Sequence, residues 1–202
     1  MSKTNLAYGA EVLGTFFLSL AVLVAINSNA FIPEAVAILA GAVLGICVYT
    51  IGPISGCHIN PAITLGLLTI KKIDLKNALG YILAQVFGAG LAIVFSSFLL
   101  GSDTLSEVLP FNIATFVAEA FGTFFFAFGI AAVVLGKAKE QMSGIVIGGS
   151  LSLGVLLAVL SGSQGILNPA VAFALNSVSI VYLLAPIVGA VLGFHVYKFL
   201  SR

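Results

Sequence analysis

SGCHINPA, Ser55–Ala62, and GSQGILNPA, Gly162–Ala170, decide how the chain is read. Each ends in Asn-Pro-Ala and runs into a short apolar stretch, Ile63–Thr69 in one case and Val171–Leu175 in the other. Asparagine is a preferred N-cap, and proline suits the first helical position, where its missing N–H would have had no partner. Each tripeptide therefore predicts a helix start. Both starts lie in otherwise continuous apolar sequence, and irregular backbone at membrane depth is tolerated only where it is buried in protein or lines a wet cavity. A single Asn-Pro would read as a surface turn. Two copies in the same setting need a common cause.

That cause is an internal repeat. Asn60 and Asn168 are 108 positions apart (168 − 60), as are Glu11 and Glu119 (119 − 11). At that offset Ala10–Phe17, AEVLGTFF, lies over Ala118–Phe125, AEAFGTFF, with six of eight positions identical. One unit is written twice, at approximately 7–100 and 112–200.

Composition sets the class. The 202 residues are 60% hydrophobic and 7% charged, with a mean hydropathy of +1.21; a soluble domain carries about 25% charged residues. The chain reads as an all-α membrane protein, one domain over 1–202. A net charge of +1 without a basic block gives no nucleic-acid patch. Cys47 and Cys57, ten apart in apolar surroundings, fit no metal motif and read as packing residues. A short Met1–Asn5 and an early Glu11 do not read as a cleavable signal peptide.

A membrane helix needs about 20 apolar residues. Such runs fall at roughly 7–26, 34–52, 78–100, 112–135, 142–161 and 179–200. Each half is then three spans plus one half-helix of about 10 residues, about 15 Å long. Three spans per repeat is odd, so the second copy is inverted relative to the first, and the two half-helices meet N-terminus to N-terminus near the midplane. The charges test this independently. With the N-terminus inside, the inner segments hold Lys3, Lys71, Lys72, Lys76, Lys137, Lys139, Lys198 and Arg202, all eight basic residues, and the outer ones only Glu34, Asp103 and Glu107. The positive-inside rule thus predicts cytoplasmic termini.

Glu11 and Glu119 remain, inside the first and fourth spans. An ion or proton site is one reading of intramembrane carboxylates. The simpler one is support: each accepts hydrogen bonds from the backbone N–H groups of the non-helical stretch before its half-helix, Ser55–Ile59 or Gly162–Leu167. His58 stands two before Asn60, where the second repeat has Ile166, and reads as a packed, lumen-lining residue, with donor and pH-gate roles open. His195 reads as interfacial or bundle-packed. Gly41/Gly45, Gly144/Gly148 and Gly189/Gly193 put small residues one turn apart, as close helix packing requires.

Taken together, the two AE-x-x-GTFF openings, both NPA boxes (Asn60-Pro61-Ala62 and Asn168-Pro169-Ala170), Ser55-Gly56-x-His58-x-Asn60, Ala84-Gln85-x-x-Gly88-Ala89 and Ala185-Pro186-x-x-Gly189-Ala190 resemble the major intrinsic proteins, the aquaporin and aquaglyceroporin family. The resemblance covers nearly the whole chain. It implies six transmembrane helices with two re-entrant half-helices in a right-handed bundle, a homotetramer with one pore per protomer in the lipid bilayer of a cell or inner membrane, and water or small neutral solutes as permeants. No enzyme, cofactor or metal is implied.

The half-helices suggest the mechanism. Each N-terminus carries roughly +0.5 charge, which opposes cations at the midpoint. If the Asn60 and Asn168 carbonyl oxygens cap the helices, their amide N–H₂ groups are free to donate into the lumen. Backbone carbonyls around Gly56, Cys57 and His58, and around Ser163, Gln164 and Gly165, would supply acceptors. The chain departs from the family at the narrow point. Where the family has an arginine, three after the second Asn, stands Val171, and spacing assigns Ala40, Leu156 and Gly165 to the other three positions. That filter is small and apolar, so strict water selectivity is not expected. Two rival classes carry discriminating measurements. A secondary transporter would show saturating or ion-coupled flux, and a non-conducting structural protein would show none.

Overall fold

The computed structural model describes residues 3–27, 32–101 and 111–202; Asp103 and Glu107, two of the acids placed outside, lie beyond these. Within them all the regular structure is helical: α1 (Lys3–Asn27), α2 (Pro33–Thr50), α3 (Gly52–Ser55), α4 (Pro61–Thr69), α5 (Leu75–Leu100), α6 (Ile113–Val134), a 3₁₀ turn (Glu140–Met142), α7 (Ser143–Leu160), α8 (Pro169–Ala174) and α9 (Ile180–Leu200). Six of these are long and apolar enough to cross a membrane. Large apolar side chains such as Phe98, Leu83 and Leu160 project from the outer surface of the bundle.

Local chemistry sets the helix ends. Asn60 Oδ1 accepts from Ala62 N at 2.8 Å, and Asn168 Oδ1 from Ala170 N at 3.0 Å. Asn112 caps α6 and Asp74 caps α5 in the same way. Both half-helices stop in a left-handed residue, Lys71 (φ 64°) and Asn176 (φ 52°). In each the next N–H reaches back to an orphan carbonyl, Lys72 N to Leu67 O and Ser177 N to Ala172 O, both at 2.9 Å. The second half-helix is shorter than the sequence suggests: α8 has six residues and α4 nine, about 9 and 14 Å.

The repeats interlock. Within each, the first and third long helices pack together, α1 on α5 and α6 on α9. Across the repeats α2 packs on α7, and each half-helix packs on the other repeat's third helix, α4 on α9 and α8 on α5. Small residues make these contacts possible. A Cβ on Gly88 would sit 2.3 Å from Val12 O, and one on Gly189 2.1 Å from Ala120 O; no side chain fits either place. Gly41 and Gly45 meet Gly148 and Gly144 backbone to backbone.

Candidate functional site: the lumen at the two Asn-Pro-Ala boxes

Glu11 and Glu119 are fully buried, and each organises the loop of its own repeat. Glu11 Oε1 accepts from Ser55 Oγ (2.6 Å) and His58 N (2.9 Å), and Oε2 from Ile59 N (2.7 Å) and Gln85 Nε2 (2.8 Å). Glu119 accepts from Ser163 Oγ, Ile166 N (3.0 Å) and Leu167 N (2.8 Å). Each carboxylate oxygen thus takes a backbone N–H, which can only donate, and this suits an acceptor-only carboxylate. The serines finish the pattern: Ser55 Oγ accepts from Cys57 N and Ser163 Oγ from Gly165 N.

These bonds hold the backbone where it would not go alone. Cys57 (φ 52°) and Ile59 (φ 37°) are left-handed, as are their repeat partners Gly165 (φ 67°) and Leu167 (φ 52°). Each non-glycine residue there costs about 1–2 kcal/mol, which the charge-assisted bonds from the same loop offset. Among the described residues no donor reaches the carbonyls of His58, Gln164, Gly165 or Ile166, which leaves them for the lumen those residues line.

The two loops are tied to each other. Asn60 Nδ2 donates to Leu167 O (2.9 Å) and Asn168 Nδ2 to Ile59 O (3.0 Å). The amides are therefore not wholly free, as the sequence reading had them. One N–H of each braces the opposite loop, and one remains for the lumen.

A cavity of about 400 Å³ runs along this junction. Asn60, Asn168 and His58 line it, with Ser163 and Gln164 beside an otherwise apolar wall that includes Leu18, Val22 and Phe126. Ala40, Gly165 and Val171 line it too. Leu156 does not. The lining residues of α7 are Leu151, Val155 and Val159, spaced by four on one helix face; Leu156 is turned about 100° from Val155, so it is Val155 that faces the cavity at this height of the helix. Gly56 and Cys57 do not line this cavity either, and Cys57 is packed into the core as a free thiol, like Cys47. Pro61, Ala62, Pro169 and Ala170 are buried in the first turns of the half-helices.

Three supporting residues were not assigned a role from sequence. Gln85 donates to both Glu11 and Thr64 Oγ1 (3.0 Å). Thr64 Oγ1 bonds Asn60 O (3.0 Å) and contacts His58 Nδ1 (3.2 Å). Tyr81 donates to Ser55 O (2.7 Å) and packs edge-on against the His58 ring. The signal was available: a glutamine and a tyrosine one turn apart inside an apolar span need partners. The second repeat lacks this set. At an offset of 101 (182 − 81, 186 − 85), Gln85 is replaced by Pro186, which has no side-chain donor, and Tyr182 has a hydroxyl with no partner among the described residues. His195 Nε2 contacts Thr69 Oγ1 (3.1 Å), near the end of α4.

The chain is similar to known proteins in sequence and in fold. The chain is 33% identical to "Aquaporin NIP1-2" of Arabidopsis thaliana, covering 94% of this chain and 72% of that protein. It is 35% identical to "Nodulin-26" of Glycine max, covering 94% and 75%, and 29% identical to "Aquaporin AqpM" of Methanothermobacter thermautotrophicus, covering 95% and 96%. The fold superposes on the X-ray structure of the aquaglyceroporin from Plasmodium falciparum with a TM-score of 0.77, at 19% identity and over 98% and 96% of the two chains. The family model described as Major intrinsic protein matches residues 2–197, and the chain belongs to the major intrinsic protein family.

Proposed function

We propose that the protein is a passive channel for water and small neutral solutes of the glycerol or urea type. The observation that carries this reading is the cavity of about 400 Å³ whose otherwise apolar wall includes the two capping asparagines, each braced on the other's loop. A solute oxygen at that point accepts one N–H from each asparagine. A water held there turns both its own hydrogens outward, so a chain of waters cannot relay a proton past it. The half-helix N-termini add positive potential that disfavours cations; α8, with six residues, contributes less than a long helix would.

Selectivity rests on Ala40, Val155, Gly165 and Val171. None brings a charge, and apart from the Gly165 backbone none brings a polar atom. A charged, five-donor arginine at 171 would narrow the path and repay the hydrogen bonds stripped from water; valine does neither. Such a constriction favours a partly apolar solute over water. The membership of relatives named as aquaporins supports the reading. A homotetramer with one pore per protomer, in a cell or inner membrane with both termini cytoplasmic, completes it.

Stopped-flow measurements on proteoliposomes with water, glycerol, urea and ammonia test the proposal. Non-saturating, gradient-independent flux of glycerol or urea with modest water flux is the expected result. Flux coupled to an ion gradient, or none above empty liposomes, refutes it. Fast water flux with glycerol and urea both excluded refutes the filter reading alone.

A further inference from the structure

Hydrogen counting around Thr64 carries one step beyond this. Thr64 is fully buried, and three groups surround its hydroxyl: Asn60 O at 3.0 Å, Gln85 Nε2 at 3.0 Å and His58 Nδ1 at 3.2 Å. The hydroxyl has one hydrogen and two lone pairs. Asn60 O is a carbonyl and can only accept; one lone pair holds the Thr64 N–H at 3.0 Å, and the other takes the hydroxyl hydrogen. The Gln85 amide can present only nitrogen here, because its other contact is the Glu11 carboxylate at 2.8 Å, which would repel an oxygen. Gln85 therefore fills one lone pair. The second lone pair faces His58 Nδ1, and the contact is a bond only if Nδ1 carries the proton. The alternative gives the Thr64 hydrogen to Nδ1 and leaves two oxygens facing each other at 3.0 Å with nothing between them.

A neutral imidazole has one N–H. With that proton on Nδ1, Nε2 is a bare acceptor. It has no protein partner among the described residues, and His58 lines the lumen. The neighbours agree. The ring is held edge-on by Tyr81 at 4.9 Å, and Tyr81 spends its own hydrogen on Ser55 O. The carbonyl of His58 has no donor either.

We propose that His58 is a specificity-determining residue that faces the permeant as a hydrogen-bond acceptor, with Thr64 and Gln85 as positioning residues that fix its tautomer. The inference rests on the channel reading for its consequence but not for its geometry. The class of solute it selects is neutral molecules that donate hydrogen bonds through O–H or N–H. A solute bearing acceptors alone finds no partner at this point of the path. The second repeat has Ile166 in the matching place and nothing equivalent to offer, so the selection acts on one side of the asparagines only.

Two measurements test this separately. Solid-state ¹⁵N NMR on histidine-labelled protein in liposomes reads the tautomer, with His195→Gln removing the other ring. A protonated Nδ1 and a bare Nε2 are expected, and a protonated Nε2 overturns the proposal. Thr64→Val should mix the tautomers and Thr64→Ser should restore the parent spectrum; an unchanged spectrum in Thr64→Val overturns the positioning role. In proteoliposomes, His58→Leu should lower glycerol and urea flux about tenfold, the worth of one hydrogen bond. Parent-like flux in that variant overturns the selective role even if the tautomer is as stated. A parent that conducts nothing refutes the channel reading, and the spectrum still decides the geometry.

Discussion

Glu11 and Glu119 look equivalent in sequence and are not equivalent in the structure. Glu11 accepts four side-chain and backbone donors, whereas Glu119 accepts three, because Gln85 has Pro186 as its counterpart. In either orientation a glutamine in either place turns its N–H₂ toward a backbone N–H, which can only donate. Glu11→Gln should therefore destabilise the protein more than Glu119→Gln, by about 1.5–3 kcal/mol, one hydrogen bond to a charged group. Thermal melts in detergent should rank parent above Glu119→Gln above Glu11→Gln, and the reverse order for the two variants would show the count to be wrong. At the lumen, Val171→Arg should cut glycerol and urea flux more than water flux. Asn168→Asp keeps an N-cap but exchanges the Nδ2 donor to Ile59 O for a carboxylate oxygen. Conductance of small cations should rise in that variant, and a folded Asn168→Asp protein that still excludes them would remove the electrostatic role from the midpoint.

Helices α5 and α9 each approach a first helix at a glycine, and this invites a paired test. Gly189→Ala places a methyl 2.1 Å from Ala120 O and should cost at least about 2 kcal/mol. Gly9→Ala, with nothing within 4 Å, should instead stabilise α1 by roughly 0.5–1 kcal/mol. Comparable melting temperatures for the two would mean that α6 and α9 shift apart freely. The long helices were legible in sequence to within a few residues, because 20 apolar residues in a row have few alternatives. The two half-helix starts were legible because Asn-Pro names both the cap and the first turn. What was not legible depended on rotation or on a single turn. The α3 turn at Gly52–Ser55 leaves no periodic trace, and α8 falls short of the expected length of about 10 residues because it stops before a left-handed Asn176, where the apolar run Val171–Leu175 also ends. The Val155 position needed the helix phase of α7, which counting back from Asn168 through a loop cannot supply. The bracing of each asparagine amide against the other loop is a contact between repeats, and no local pattern encodes it.

On the scale of the whole molecule, the inverted repeat gives the charge asymmetry its meaning. If the segments that carry all eight basic residues face the cytoplasm, as the positive-inside rule predicts, single cysteines placed at Lys72 or Lys139 in a protein with Cys47 and Cys57 replaced by serine should resist an impermeant thiol reagent on intact cells. A cysteine at Gln164, exposed at the outer end of the second loop, should react. The opposite pattern would invert the topology and leave the fold unchanged. The reciprocal asparagine braces also bear on how the molecule is made. Asn60 leaves the ribosome 107 residues before Leu167, the carbonyl that its amide will hold. At about 5–20 residues per second, the first loop waits roughly five to twenty seconds in the translocon or the bilayer with that amide unanswered. The nascent first repeat can insert its spans in that interval, but it cannot finish its own interior. Completion belongs to the moment when the second copy arrives, and a chain halted before Leu167 would be membrane-inserted yet open at its centre, a natural target for quality control.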